Sequence, residues 1–194
     1  MALIIKNLSK SFGNKTVFDT FSYEFQDRGL YLLKGNSGVG KTTLLRMIAG
    51  LDGSYDGEII GGGIKNTSVA FQEYRLFPML SALDNAVIPN AEGNECDVLF
   101  RAKELLRALG FSEHDMQLKP KELSGGMKQR VSLTRAFLRK APVLLLDEPT
   151  KELDGVLQGK VIDIIRKEAE SRLVIVVTHD PIDLEGAVTS EIIL

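Results

Sequence analysis

The sequence predicts an α/β fold with a mixed, mainly parallel sheet, an antiparallel β subdomain at the N-terminus and an inserted helical lobe. Three patterns support this prediction. Short wholly apolar runs are separated by helical stretches, and runs without polar alternation are typical of strands covered on both faces. A glycine-rich loop follows the first of these runs and opens a helix. The N-terminal residues instead alternate between apolar and polar, as strands with one exposed face do.

Composition limits the classes of protein to which the chain can belong. Its 194 residues are 44% apolar and 26% charged, which is enough for one sizeable core, so we expect one domain over residues 1–194. The net charge of -2 argues against binding through bulk positive charge, and no nucleic acid partner is expected. The single cysteine, Cys96, and the lack of a signal segment before residues 3–5 indicate the cytoplasm. The longest apolar runs are far shorter than the ~20 residues that span a bilayer.

The first elements are predicted as an antiparallel sheet. Residues 6–12 and 17–25 alternate, and Gly13-Asn14-Lys15 between them is a turn signal. From residue 76 the pattern becomes helical, and we expect a helical lobe over about 76–140. One helix in it is predicted by Leu99, Ala102, Leu105, Leu106 and Leu109 on a single apolar face, with Gly110 as the C-cap.

Four apolar runs predict the buried sheet, at residues 30–33, 68–71, 143–146 and 173–177. Polar residues follow the last three runs directly, whereas the glycine-rich loop follows the first. Because ligands of α/β sheets bind beyond the carboxyl ends of the strands, we expect these residues to converge near that loop. They are Gln72, the pair Asp147-Glu148, and Thr178-His179.

The glycine-rich loop, residues 35–43, reads GNSGVGKTT and matches the phosphate-loop pattern G-x-x-x-x-G-K-[ST]. Its glycines allow consecutive N–H groups to turn toward an anion, and the helix adds its positive N-terminal end. Lys41 can reach the outer phosphates, and the Thr42 hydroxyl can ligate Mg²⁺. A glycine turn before a capped helix is the alternative, but the flanking strand and helix favour a P-loop NTPase core. The predicted nucleotide-binding residues here are Gly35, Asn36, Ser37, Gly38, Gly40, Lys41, Thr42 and Thr43.

Two carboxylates end the apolar run at residues 143–146. They could simply cap a helix. Beside a phosphate loop, however, Mg²⁺ needs oxygen ligands, and Asp147 fits that role. Glu148 can accept the proton of the water that attacks the γ-phosphate, which is the work of a general base.

A second helix start also has the features of an anion site. Ser124 precedes Gly125 and Gly126, and the two glycines leave amide groups of the new helix unobstructed. The alternative is that Ser124 is an ordinary N-cap. A second anion site in one small chain requires an explanation.

With these motifs in this order, the chain resembles the ATP-binding cassette (ABC) transporter ATPases, in a minimal bacterial form. The resemblance covers GNSGVGKTT, Gln72, LSGGMKQR at residues 123–130, VLLLDEPT at residues 143–150, and His179. It implies ATP and Mg²⁺ as ligands and hydrolysis of ATP to ADP and phosphate. In that family two cassettes pair head to tail, and the LSGG helix of one closes on the nucleotide of the other. That pairing would explain the second anion site.

The resemblance also implies roles for individual residues. Phe12 matches the aromatic residue that stacks on adenine, although a core phenylalanine is the alternative. Gln72 matches the residue that contacts Mg²⁺ and the attacking water, and His179 matches the switch histidine at the γ-phosphate. The implied catalytic set is therefore Lys41, Gln72, Glu148 and His179, the metal ligands are Thr42, Gln72 and Asp147, and Ser124, Gly125 and Gly126 bind the partner's nucleotide.

Two departures from the family pattern are visible. Lys151-Glu152 stand where the family usually has Ser-Ala, in a segment that the resemblance implies lies near the dimer interface, and Met127 replaces a frequent glutamine. The implied function is the ATPase subunit of a transporter, peripheral on the cytoplasmic face of the membrane, with separate transmembrane permease subunits and a second cassette, expected as a homodimer. The segment FQEYRLFP at residues 71–78 resembles importer cassettes. The alternative is a nucleotide switch on a cell-division-like membrane complex, a ribosome or DNA.

Overall fold

The computed structural model describes residues 2–88, 95–178 and 187–194. These residues fall into two compact units, the first drawn from Met1–Val69, Ala141–Asp147 and Ile165–Leu194 and the second from Ala70–Lys140 and Glu148–Ile164. One domain over 1–194 with a lobe at about 76–140 stays a prediction, because compact units need not fold independently. In chain order the elements are β1 (Ile4–Phe12), β2 (Lys15–Glu24), β3 (Gly29–Lys34), α1 (Lys41–Ile48), β4 (Asp56–Ile60), β5 (Thr67–Ala70), α2 (Ala82–Val87), α3 (Glu95–Ala108), 3₁₀ turns at Asp115–Gln117 and Pro120–Glu122, α4 (Gly125–Leu138), β6 (Val143–Asp147), α5 (Gly155–Ala169), β7 (Leu173–Val177) and β8 (Val188–Ile193).

The antiparallel sheet of the first unit has the strand order β2-β1-β4. The predicted hairpin is confirmed, because β1 and β2 pair antiparallel around a turn in which Gly13 has a φ of +56°. That left-handed angle favours glycine. Strand β4 was not predicted, since its five residues, DGEII, are exposed or half-buried and carry little alternation.

The second sheet has the order β5-β6-β7-β3-β8, and the pairs β3–β7, β3–β8 and β6–β7 are parallel. Every residue of β6 and β7 is buried, which explains their unbroken apolar sequences. Leu33 of β3 and Asp147 of β6 both pair with Val177 of β7. The register therefore brings the end of β6 and the start of the loop after β3 to the same edge of the sheet.

The helices of the second unit pack around an apolar cluster. Gly110 has a φ of +83°, and the Gly110 and Phe111 amides donate to the carbonyls of Arg107 and Leu106, so the predicted C-cap is a Schellman motif. The apolar face predicted for α3 is partly wrong, because Leu99 is 41% exposed. The buried cluster comprises Ala82, Leu83, Ala86, Ala102, Leu106, Phe111, Met116, Leu123, Val131 and Leu138.

In the three described stretches of the chain, none of the helices combines the length and the apolar character that crossing a membrane requires.

Candidate nucleotide site

The loop after β3 has the backbone that its glycines predict. Gly35, Gly38 and Gly40 have φ angles of +150°, +75° and +115°. A Cβ on Gly40 would also collide with Val17, and it would lie 3.1 Å from the ring of Phe18. Glycine is therefore required at Gly40 both for the turn and for the close approach of β2.

Lys41 holds this loop in its curled form. Its side chain is buried, with 5% exposed, and its ammonium group donates to the carbonyls of Gly35 at 2.7 Å and Asn36 at 2.9 Å. A buried ammonium ion at the first residue of α1 adds a full charge to the partial positive charge of the helix N-terminus. The site is thus strongly attractive to a phosphate group.

Two predicted metal ligands meet in the first unit. The Thr42 hydroxyl donates to Oδ2 of Asp147 at 2.7 Å, and Asp147 is 4% exposed. The two residues lie 105 positions apart in sequence. Hydroxyl and carboxylate oxygens are the hard ligands that Mg²⁺ prefers, so these residues fit the metal that the phosphate loop implies.

We expect Thr42→Val to raise the Mg²⁺ concentration needed for half-maximal nucleotide binding about tenfold or more, because one oxygen of the pair is lost. Thr42→Ser should restore the wild-type value, since it returns the hydroxyl. Titration of a fluorescent ATP analogue at a series of Mg²⁺ concentrations measures this. An unchanged Mg²⁺ dependence in the folded Thr42→Val protein would remove Thr42 from the metal site.

Phe12 lies at the end of β1 and is 54% exposed, so the alternative of a core phenylalanine is wrong. One face of its ring is covered, because the ammonium group of Lys10 lies 4.9 Å from the ring centroid. Lys10 also donates to Asp52 Oδ1 at 3.0 Å, and this hydrogen bond lowers the pKa of Asp52. Stacking of Phe12 on adenine stays a prediction. The contact of Lys10 with the Phe12 ring was not predicted from the sequence, because Lys10 lies within an alternating strand.

We expect Phe12→Ala to weaken ATP and GTP binding together by about 1–3 kcal/mol, because stacking on an aromatic ring tolerates any base. Phe77→Ala is a suitable control, since Phe77 has a similar exposed fraction of 52% in the second unit. Calorimetric titration with both nucleotides tests the prediction. If the folded variant binds ATP as the wild type does, Phe12 has no part in base binding.

Glu148 follows β6 and is the first residue of the segment Glu148–Ile164 of the second unit. It is 8% exposed and has a φ of +53°, in a region that residues other than glycine rarely adopt. Its carbonyl accepts a 2.8 Å hydrogen bond from Nε2 of Gln129, which is buried on α4. Gln129 was missed as a positioning residue, although it lies within LSGGMKQR. The general-base role of Glu148 stays a prediction.

The predicted second anion site is the N-terminus of α4. Ser124 is the N-cap, and its hydroxyl accepts from the amide of Met127 at 3.2 Å. The glycines after it face a neighbour from their own chain. A Cβ on Gly125 would collide with the carboxylate of Glu152, and a Cβ on Gly126 would lie 2.8 Å from the Glu152 carbonyl oxygen.

The segment after Gln72 is also fastened to α4. Gln72 itself is exposed. The guanidinium group of Arg135 donates to the carbonyls of Tyr74 at 2.8 Å and Arg75 at 2.9 Å. The Tyr74 hydroxyl donates to Oε2 of Glu152 at 2.7 Å, and burial together with this bond raises the pKa of Tyr74 to about 12. Tyr74 therefore remains a hydrogen-bond donor at neutral pH.

The structure thus brings together Lys41 with the loop and Thr42 with Asp147 in the first unit. In the second unit it places Ser124, Gly125 and Gly126 at the start of α4 and ties the backbone of Glu148 to that helix. Within the described residues, Gln72 forms no hydrogen bond with either of these two groups. The predicted switch histidine, His179, lies outside the described residues.

Comparison with known proteins places the chain in a family. The family model described as ABC transporter matches residues 18–151. The Fe(3+) ions import ATP-binding protein FbpC of Agrobacterium fabrum is 37% identical over 100% of this chain and 58% of its own length. The putative hemin import ATP-binding protein HrtA of Staphylococcus epidermidis is 34% identical over 93% of this chain and 90% of its own length. The chain therefore spans little more than half the length of FbpC.

A solved structure is similar over most of the chain. It is the dimeric post-hydrolysis state of the ATP-binding cassette MJ0796 bound to ADP and Pi, with a TM-score of 0.80 and 28% identity, covering 92% of this chain and 88% of that one. This similarity confirms the predicted fold class. The family model and the two relatives match this chain, and its glycine loop carries the Thr42–Asp147 pair. This chain therefore belongs to the ABC transporter family.

Proposed function

We propose that this chain is the ATP-binding and ATP-hydrolysing subunit of a membrane transporter whose membrane-spanning subunits are separate polypeptides. The observation that carries the proposal is the contact of Thr42 with Asp147 beside a phosphate loop that Lys41 holds curled. This arrangement combines a cation, helix amides and two oxygen ligands, which together suit a nucleoside triphosphate and Mg²⁺. The family of the chain supports ATP as the nucleotide.

Each residue of the site has a proposed task. Lys41 neutralises the outer phosphates, Phe12 stacks on the base, and Thr42, Asp147 and Gln72 would hold Mg²⁺. Bound there, the metal would neutralise charge on the phosphates. Glu148 accepts the proton of the attacking water. The hydrogen bond from Gln129 to the Glu148 carbonyl fixes the backbone that carries this carboxylate. His179 is proposed to orient the γ-phosphate.

The proposed permease contact lies on the second unit. Several large apolar side chains that are more than two-fifths exposed lie there, at residues 77–88 and in the first half of α3, and exposed apolar surface is typical of interaction sites. Asn85, which is fully buried, holds the backbone of the first of these residues, Phe77. Its Oδ1 accepts a hydrogen bond from the Phe77 N–H at 2.7 Å, and its Nδ2 donates to the Phe77 carbonyl at 3.1 Å. The exposed residues are Phe77, Met79, Ile88, Leu99 and Phe100.

We further propose solute import, at the cytoplasmic face of the membrane. The names of both FbpC and HrtA describe import, although the cargoes in these names differ, being ferric ions in one and hemin in the other. We therefore propose that the membrane subunits, rather than this chain, select the cargo. Co-purification with a membrane-spanning protein from the native host tests the partnership, and capture of only ribosomal proteins or DNA would contradict it.

Head-to-tail pairing of two copies is part of the proposal, and the dimeric cassette MJ0796 is the model for it. The Glu148→Gln chain should form dimers when ATP and Mg²⁺ are added, because slow hydrolysis preserves the closed state. It should return to monomers when ATP is removed. Ser124→Arg in the same background should block dimers by placing bulk at the start of α4. Light scattering measures both. A Glu148→Gln chain that stays monomeric at saturating ATP would contradict the pairing.

A further inference from the structure

Glu152 lies against the start of α4 in a way that the family pattern does not provide for, since Lys151-Glu152 replace the usual Ser-Ala. Its carboxylate oxygen Oε2 occupies the space where a side chain of Gly125 would begin, and its carbonyl oxygen lies beside Gly126. The two glycines of the second anion site therefore face an acidic residue of their own chain. All these residues belong to the second unit.

The carboxylate is held in this place rather than merely exposed there. The Tyr74 hydroxyl donates to Oε2 at 2.7 Å, and the Tyr74 backbone is itself fastened by the guanidinium group of Arg135 on α4. Glu152 also has a φ of +65°, an angle that is unfavourable for a residue with a Cβ. The surrounding contacts must therefore compensate for this backbone angle.

A carboxylate at this position changes the charge that a phosphate would meet. Helix α4 has 14 residues, and the backbone amides of its first turn give its N-terminus a partial positive charge. The Glu152 carboxylate offsets part of that charge. It also repels a phosphate that approaches Gly125, because both groups are negative.

We propose that Glu152 is an internal anion that weakens the hold of the α4 N-terminus on the nucleotide of a paired copy, and so limits how tightly two copies close on ATP. This inference rests on the proposed function, because it requires the head-to-tail pair. Glu152 acts here on affinity and takes no part in the chemistry of hydrolysis. Each closed dimer would contain the residue twice.

The test compares ATP-driven dimerisation in the Glu148→Gln background with and without Glu152→Gln. Glutamine keeps the size of the side chain and an oxygen that can accept from Tyr74, so the substitution removes the charge with little change of shape. We expect the dimer dissociation constant at saturating ATP to fall about tenfold. Glu95→Gln, an exposed glutamate in the first turn of α3, is the matched control and should leave that constant unchanged.

Salt and Tyr74 provide two further readouts. Raising the ionic strength should narrow the difference between the two chains, because the Debye length falls from about 8 Å at 0.15 M to about 3 Å at 1 M salt. A purely structural role of Glu152 would not give this dependence. Tyr74→Phe removes the donor that holds the carboxylate, and it should tighten the dimer in the same direction by a smaller factor.

The outcomes separate this inference from the proposed function. If the Glu148→Gln chain dimerises with ATP and Glu152→Gln leaves its dissociation constant unchanged or raises it, the inference is wrong and the pairing stands. If the Glu148→Gln chain stays monomeric, the pairing is wrong and the inference is overturned with it. Tighter dimers with Glu152→Gln and a difference that shrinks with salt support both.

Discussion

Replacing Glu148 with glutamine is expected to slow ATP hydrolysis by about 10²- to 10⁴-fold while ATP still binds. The amide has nearly the shape of the carboxylate but cannot accept the proton of the attacking water. Binding should persist because the contacts of Lys41 with the loop and of Thr42 with Asp147 do not involve the Glu148 side chain. The Gln129 bond should persist too, since it is made to the Glu148 backbone.

Phosphate release under single-turnover conditions measures the chemical step, and titration of a fluorescent ATP analogue measures binding. Glu170→Gln is a control for loss of one negative charge, because Glu170 is exposed just after α5. We expect it to behave as the wild type does. A Glu148→Gln rate within threefold of the wild-type rate would contradict the general-base assignment.

Replacing Lys41 with methionine is expected to weaken ATP binding by about 10- to 100-fold and to abolish measurable hydrolysis. Hydrogen bonds to charged groups contribute about 1.5–3 kcal/mol each, and methionine supplies neither the charge nor the donors. The Lys41 ammonium group also holds the carbonyls of Gly35 and Asn36. The variant thus loses both the cation and the brace that keeps the loop curled.

The two contributions can be separated. Lys41→Arg keeps the charge but places a larger planar group at a buried position, so we expect partial recovery of binding without recovery of hydrolysis. Lys160→Met, at an exposed position of α5, is the control for loss of one positive charge. Thermal melting confirms that each variant is folded. ATP affinity within twofold of wild type in a folded Lys41→Met protein would exclude Lys41 from the phosphate site.

Much of the architecture could be predicted because it depends on local patterns. The unbroken apolar runs of β6 and β7 are buried throughout, and the alternating runs around Gly13 form the antiparallel hairpin. Errors occur where the local pattern is weak. Leu99 has helical spacing but is exposed on α3, since periodicity alone does not say how wide the covered face of a helix is. Strand β8 was missed because its sequence, VTSEII, is neither an unbroken apolar run nor an alternation of apolar and polar residues.

What the sequence determined by itself is the set of groups that short contiguous motifs carry, including the glycine loop with Lys41 and Thr42, the Asp147-Glu148 pair, and the capped helix start at Ser124. Only the tertiary structure decided which side chains, far apart in sequence, make direct contact. Thr42 contacts Asp147 across 105 positions and Tyr74 contacts Glu152 across 78 positions. Such contacts depend on strand order, register and the path of loops, and a motif read along the chain contains none of these. The carboxylate of Glu152 at the start of α4 is therefore visible in the fold alone.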